Sequence, residues 1–180
     1  DYISTSEVVF DLGANYGQFI LDAITLNKID NFIHIAAFEP NPKIAKAFKE
    51  SLKDNNLDLN VNLIQKGVSN ENGSFNFYIN LHSSGGSSIN PNNAFNPKDG
   101  IFRKKIEIET ITLANYVKSQ EIDVNGKNIA IKIDVEGHDF FALEGATNIL
   151  ESASDFLLIM ETTKLNAIDY IRHCNEEFIK

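Results

Sequence analysis

The sequence predicts a single α/β domain, with a mainly parallel sheet in strand order 3-2-1-4-5 and helices on both faces. Three observations carry that prediction. Apolar strand patterns alternate with amphipathic helical ones along most of the 180 residues. A glycine-punctuated turn, Gly13-Ala14-Asn15-Tyr16-Gly17, joins the first strand to the first helix. From Gly73 the rhythm changes to strict alternation, which marks an antiparallel hairpin inserted beside the parallel sheet.

Each element follows from its own pattern. Strand one is Val8 to Leu12, and a helix runs from Gly17 to Asn27 with Ile20, Ala23 and Ile24 on one face. Strand two, Ile33 to Phe38, is apolar except for His34 and suits a strand covered on both sides. Asn41-Pro42 supplies a cap and a first-turn proline for a helix that turns Ile44, Ala45, Phe48 and Leu52 inward. Strand three is Val61 to Gln65. Phe75, Phe77, Ile79 and Leu81 alternate with polar residues, and Ile106, Ile108 and Thr110 echo them after a long polar connection. Connections of that length are commonly lids or disordered segments. Thr112 caps a helix to Gln120, strand four is Ile129 to Val135, and one helix spans Asp139 to Leu150. Strand five, Phe156 to Glu161, and a helix from Leu165 to Phe178 complete one domain over residues 1–180.

Composition narrows the function. A formal charge of −9 disfavours a nucleic-acid partner, which needs a concentrated basic surface. Lys43, Lys46, Lys49 and Lys53 are spaced as a solvated helix face, and Arg103-Lys104-Lys105 is a short strand or loop edge. No apolar run reaches membrane-spanning length. The lone Cys174 cannot close an internal disulfide, so the expected compartment is reducing, the cytoplasm.

The switch between strands one and four is where ligands bind in such sheets, beyond the strands' carboxyl ends. There the turn can take a sharp bend, since glycine accepts positive φ freely and asparagine tolerates it. The spacing Asp11, Gly13, Asn15, Gly17 departs from the dinucleotide G-x-G-x-x-G pattern. Glu39-Pro40 ends strand two, where a carboxylate can hold both ribose hydroxyls of a nucleoside or merely complement the next helix dipole. Asp134 and Glu136 end strand four two residues apart and share one side of its tip. Such a pair suits one retained proton or a shared cation. Gly137 lets the chain turn and either brings His138 toward the same mouth or leaves it a surface residue, and Asp139 is the cap or first-turn acid of the next helix.

Taken in order, Phe10-Asp11-Leu12-Gly13-Ala14-Asn15-Tyr16-Gly17, Phe38-Glu39-Pro40, Thr110-Ile111-Thr112-Leu113, Lys132-Ile133-Asp134-Val135-Glu136-Gly137-His138-Asp139, Leu143-Glu144-Gly145-Ala146 and Leu158-Ile159-Met160-Glu161 resemble the FkbM family of S-adenosylmethionine (SAM) dependent methyltransferases. The resemblance implies a Rossmann-like class I methyltransferase fold and O-methylation of a hydroxyl on a sugar, glycan or other small molecule. It implies that Asp11, Gly13, Ala14, Asn15 and Gly17 hold the methionine end, Glu39 and Pro40 the ribose, and Val68 and Ser69 the adenine border. Asp134 then orients donor or acceptor, with Glu136 or His138 taking the proton, the segment from Ser83 to Ser88 closing over the substrate, and no residues assigned to a metal. Asp139 departs from the family's usual glutamate, and the strands that normally complete the sheet are not evident after Phe178. The expectation is therefore a domain shortened at both ends. The rivals are a nicotinamide-dependent oxidoreductase, against which Asn15 counts, and a catalytically silent SAM-binding module.

Overall fold

A computed structural model describes residues 5–26, 32–80, 86–89 and 103–161. Its main sheet contains β1 (Val8–Leu12), β2 (His34–Phe38), β3 (Asn62–Ile64), β7 (Asn128–Ile133) and β8 (Asp155–Met160). All neighbours are parallel and their order is β3-β2-β1-β7-β8, the arrangement the alternating pattern predicts. Strand alternation divides the core. Val8, Phe10 and Leu12 face α3 (Leu113–Ser119), α4 (Asp139–Glu144) and α5 (Thr147–Ser152). Val9, Ile35, Ala37 and Ala130 face α1 (Gln18–Leu26) and α2 (Pro42–Asp54) through Ile20, Phe48 and Leu52. Full burial of side chains such as Phe10, Phe38 and Phe48 contributes about 2 kcal/mol each.

Local signals set the helix starts. The Asn41 side chain accepts from Lys43 N–H at the start of α2, and Thr112 Oγ1 accepts from Asn115 N–H at the start of α3. The inserted hairpin is β5 (Gly73–Asn80) against β6 (Arg103–Ile111), antiparallel as expected. A two-residue strand, β4 (Gly67–Val68), joins β6 in parallel and makes this a separate three-stranded sheet.

One helix departs from expectation. The segment from Asp139 to Leu150 breaks into α4 and α5 at Gly145-Ala146. Gly145 lies so close to Ser69 that a Cβ there would stand 2.1 Å from the Ser69 carbonyl oxygen, while its own carbonyl accepts from Ala114 N–H at 3.2 Å. The break lets the helical layer meet both the small sheet and α3. The helix expected from Leu165 to Phe178, Cys174, and most of the polar connection before β6 lie outside the described residues.

Candidate functional site

The ends of β1, β2 and β7 converge at one point. β1 and β7 stay hydrogen-bonded to their tips, where Asp134 N–H donates to the Leu12 carbonyl at 2.9 Å. The turn after β1 is left-handed at each of the three expected positions, with φ of 86° at Gly13, 51° at Asn15 and 84° at Gly17. Gly13 and Ala14 N–H both donate to the Phe38 carbonyl, tying the turn to β2. A Cβ on Gly13 would lie 2.0 Å from the Asp134 carbonyl oxygen, and one on Gly17 would lie 1.9 Å from the Phe48 ring. Gly13 thus permits the strand tips to touch, and Gly17 permits the helices to touch.

A cleft opens above this junction. Gly13, Asn15, Phe38, Glu39 and Pro40 form one wall, and Asp134, Val135 and Glu136 another. Val68, Phe77, Ser87 and Ile89 come from the small sheet and the segment beside it. A second opening shares Gly13, Asn15 and Asp134 and adds Ala14, Tyr16, Gln18, Phe19 and Lys132.

The carboxylates differ in environment. Glu39 is buried; its Oε2 accepts from Asn15 N–H at 2.9 Å and its Oε1 from Asn41 N–H at 2.7 Å. Burial outweighs those bonds and pushes its pKa up to about 7. Asp11 lies wholly buried beneath the turn rather than in the cleft wall. Burial raises its pKa to about 6 against the pull of Lys132, whose Nζ is 3.5 Å from Asp11 Oδ1 and 3.1 Å from Asp134 Oδ2. Asp11 Oδ2 and Asn15 Oδ1 are buried acceptors with no hydrogen-bond partner among the described residues. Glu136 is half-buried in the cleft wall, and desolvation with the nearby charges of Asp134, Glu161 and Asp139 brings its pKa to about 7.

Besides Asp11, the expected residues Gly17, His138 and Ser69 line neither opening. Glu136 and Gly137 take φ of 53° and 91°, and this double left-handed turn carries His138 away from the cleft. Its ring is buried, stacked 4.6 Å from Phe141, with Nε2 2.9 Å from Ser69 Oγ. Burial lowers its pKa to about 4, which keeps it neutral. Ser69 is likewise buried behind Val68 and does not line the cleft. Asp139 is the first-turn acid of α4 rather than its cap, a position His138 holds, and its carboxylate reaches backward: Oδ1 accepts from Val135 N–H at 2.9 Å and Oδ2 from Gly137 N–H at 3.0 Å, clamping the 134–138 loop. Ser88 Oγ donates to the Glu136 carbonyl, so one end of the polar connection docks on that loop.

The Methyltransferase FkbM domain family model matches residues 11–177. The chain belongs to the FkbM methyltransferase family. No curated protein matches the sequence. A solved structure of the methyltransferase FkbM from Methylobacillus flagellatus KT has a TM-score of 0.55 at 17% identity, covering 86% of this chain and 32% of that one. That likeness shows the Rossmann-like fold, and the present chain spans about a third of that protein's length. An rRNA methylase from Streptococcus thermophilus has a TM-score of 0.47 at 12% identity, covering 95% of this chain and 76% of that one, too distant to inform the acceptor.

Sequence reasoning gave no role to two charged groups of this FkbM domain. Lys132 interrupts an otherwise apolar strand, a visible signal, because a lysine rarely enters a covered strand unpaired. Glu161 follows β8, and the charge of nearby Asp134 raises its pKa; only the β7–β8 register, Ile133 opposite Met160, reveals that proximity. No group of His, Cys, Asp and Glu among the described residues has the arrangement of a metal site. No helix among them is long and apolar enough to cross a membrane.

Proposed function

We propose that the chain transfers a methyl group from SAM to a hydroxyl oxygen of a sugar, glycan or other small molecule, in the cytoplasm. The observation that carries this reading is the acidic cleft at the β1–β7 switch point of an FkbM domain, walled by Glu39, Asp134 and Glu136. A wall of carboxylates suits a ligand bearing sulfonium and ammonium charges and lacking a pyrophosphate. The orphaned acceptor Asn15 Oδ1, on a residue that lines both openings, fits the same ligand, since it calls for a donor.

Glu39 would hold the ribose. Each of its oxygens accepts one backbone N–H, and a carboxylate offers about four acceptor sites, which leaves capacity for two hydroxyls. Pro40, Phe38 and Val68 give the nucleoside an apolar border, with Ser69 supporting Val68 from behind. Gly13, Ala14 and Asn15 would flank the methionine end, Gly17 would set the turn, and Asp11 would act from beneath through Lys132. Bound SAM supplies an electrophilic methyl group on a good leaving group. The protein then has to align the acceptor oxygen and take its proton. Asp134, in the wall common to both openings, orients the acceptor, and Glu136 takes the proton. His138, neutral and bonded to Ser69, supports the loop instead.

Calorimetric titration with SAM and with NAD tests the donor. Binding of SAM alone is expected, and binding of NAD alone overturns the reading. Incubation with methyl-labelled SAM and a panel of glycans, hydroxylated small molecules and RNA tests the acceptor. Transfer to a hydroxyl compound is expected. SAM binding without transfer to any of them would make the chain a silent binding module.

A further inference from the structure

We propose that Lys132 is a positioning residue that binds Asp11 and Asp134 at once, tying the buried end of β1 to the carboxylate in the cleft wall. The β1–β7 register places Asp11 directly opposite Lys132, so both side chains stand on the face covered by α1. From there Nζ reaches Asp11 Oδ1 at 3.5 Å and Asp134 Oδ2 at 3.1 Å. The lysine side chain is four-fifths buried and Asp11 wholly so, which makes both contacts less screened than a surface pair.

Geometry and charge agree on what this bridge does. Asp11 has no other hydrogen-bond partner on Oδ1 or Oδ2 among the described residues, so Lys132 is the group that favours its ionised form. The surrounding charges are acidic: Asp134 at the β7 tip, Glu39 at the β2 end, and Glu136 and Glu161 nearby. Lys132 is the cation that acts on each of Asp11, Glu39, Glu136 and Glu161. Without it, Asp11 would keep its proton to higher pH, and Asp134 would lose the contact that fixes Oδ2. With the bridge in place burial still holds Asp11 at about 6, so losing Lys132 moves its titration toward neutral pH. The link from this bridge to turnover rests on the function proposed above; the bridge itself does not.

The test begins on the ligand-free protein. Carboxyl carbons of labelled aspartates are followed by NMR from pH 4 to 9, with Asp11 assigned by its loss in Asp11→Asn. An opposite charge at this distance typically shifts a carboxyl by about one to three pH units. The Asp11 midpoint should therefore rise by about one unit or more in Lys132→Met and Lys132→Gln, and stay near the wild-type value in Lys132→Arg. An unchanged midpoint in folded Lys132→Gln overturns the proposal, as does a midpoint in Lys132→Arg as high as in the neutral variants. Should the neutral variants fail to fold, Lys132→Arg decides alone: loss of the wild-type midpoint there overturns it. SAM-dependent turnover against pH supplies a second readout. The acid limb of the rate should move upward in Lys132→Gln and return in Lys132→Arg. Absence of turnover in the wild type would reject the proposed function while the titration still decides the role of Lys132.

Discussion

Replacing Glu39 by glutamine should flatten the dependence of stability on pH. The native carboxyl is held at about 7, against an ordinary value of 4.5, because it is buried. A folded value above the unfolded one means that the native state binds the proton more tightly. The resulting stabilisation is complete below pH 4.5 and is lost as pH rises through about 7. With those two values, ionisation of this group removes about 1 kcal/mol of native stability by pH 5 and about 3 kcal/mol by pH 8. Glutamine cannot ionise. Its amide turns an N–H toward one of the two backbone donors, Asn15 or Asn41, but that cost is the same at both pH values and cancels. Asp11 titrates in both proteins and cancels to first order. Urea unfolding followed by circular dichroism, on both proteins at pH 5 and pH 8, gives the difference of differences. The wild type should lose about 2 kcal/mol relative to Glu39→Gln between those conditions. Parallel profiles, with no change in the gap, would refute the claim that this carboxyl is desolvated.

Other substitutions probe the same junction. Gly13→Ala combines a φ of 86° with a Cβ 2.0 Å from the Asp134 carbonyl oxygen, so it should part the β1 and β7 tips. We expect a cost of about 3 kcal/mol or more by denaturant unfolding, with loss of SAM binding by calorimetry. Asp139→Ala leaves the Val135 and Gly137 N–H groups without their carboxylate. It should cost about 2 to 4 kcal/mol and lower kcat more than it raises the KM for SAM. Glu136, held at about 7 by burial and acidic neighbours, must lose its proton to act as a base. Methyl transfer should therefore rise with pH through about 7, and Glu136→Gln should remove that limb and slow kcat by about a hundredfold or more.

The main sheet was legible because β1, β2, β7 and β8 are each apolar runs bounded by turns, and alternation with helices leaves little freedom in their order. The hairpin was legible from period-two alternation at residues 75 to 79. Glycine chemistry likewise announced the left-handed turn at Gly13, Asn15 and Gly17. β4 escaped because two residues carry no periodicity and are defined only by a partner in β6. The break between α4 and α5 escaped because its cause, the approach of Gly145 to Ser69, joins residues far apart in sequence. His138 was misplaced for a similar reason. The two consecutive positive φ values at Glu136 and Gly137 reverse the chain, and only Gly137 advertises such freedom. Lys132 was the most readable omission, since a charge inside an apolar strand asks for a partner, and both partners lay in quoted motifs.

The contact between Gly145 and Ser69 works as a spacer behind one wall of the cleft. Ser69 follows Val68 directly, and Val68 borders the cleft, so whatever fills that gap sets how far one wall leans over the opening. The width of the mouth is thus gauged from behind, by a missing methyl group. A change in acceptor size could arise there without altering any side chain that touches the acceptor.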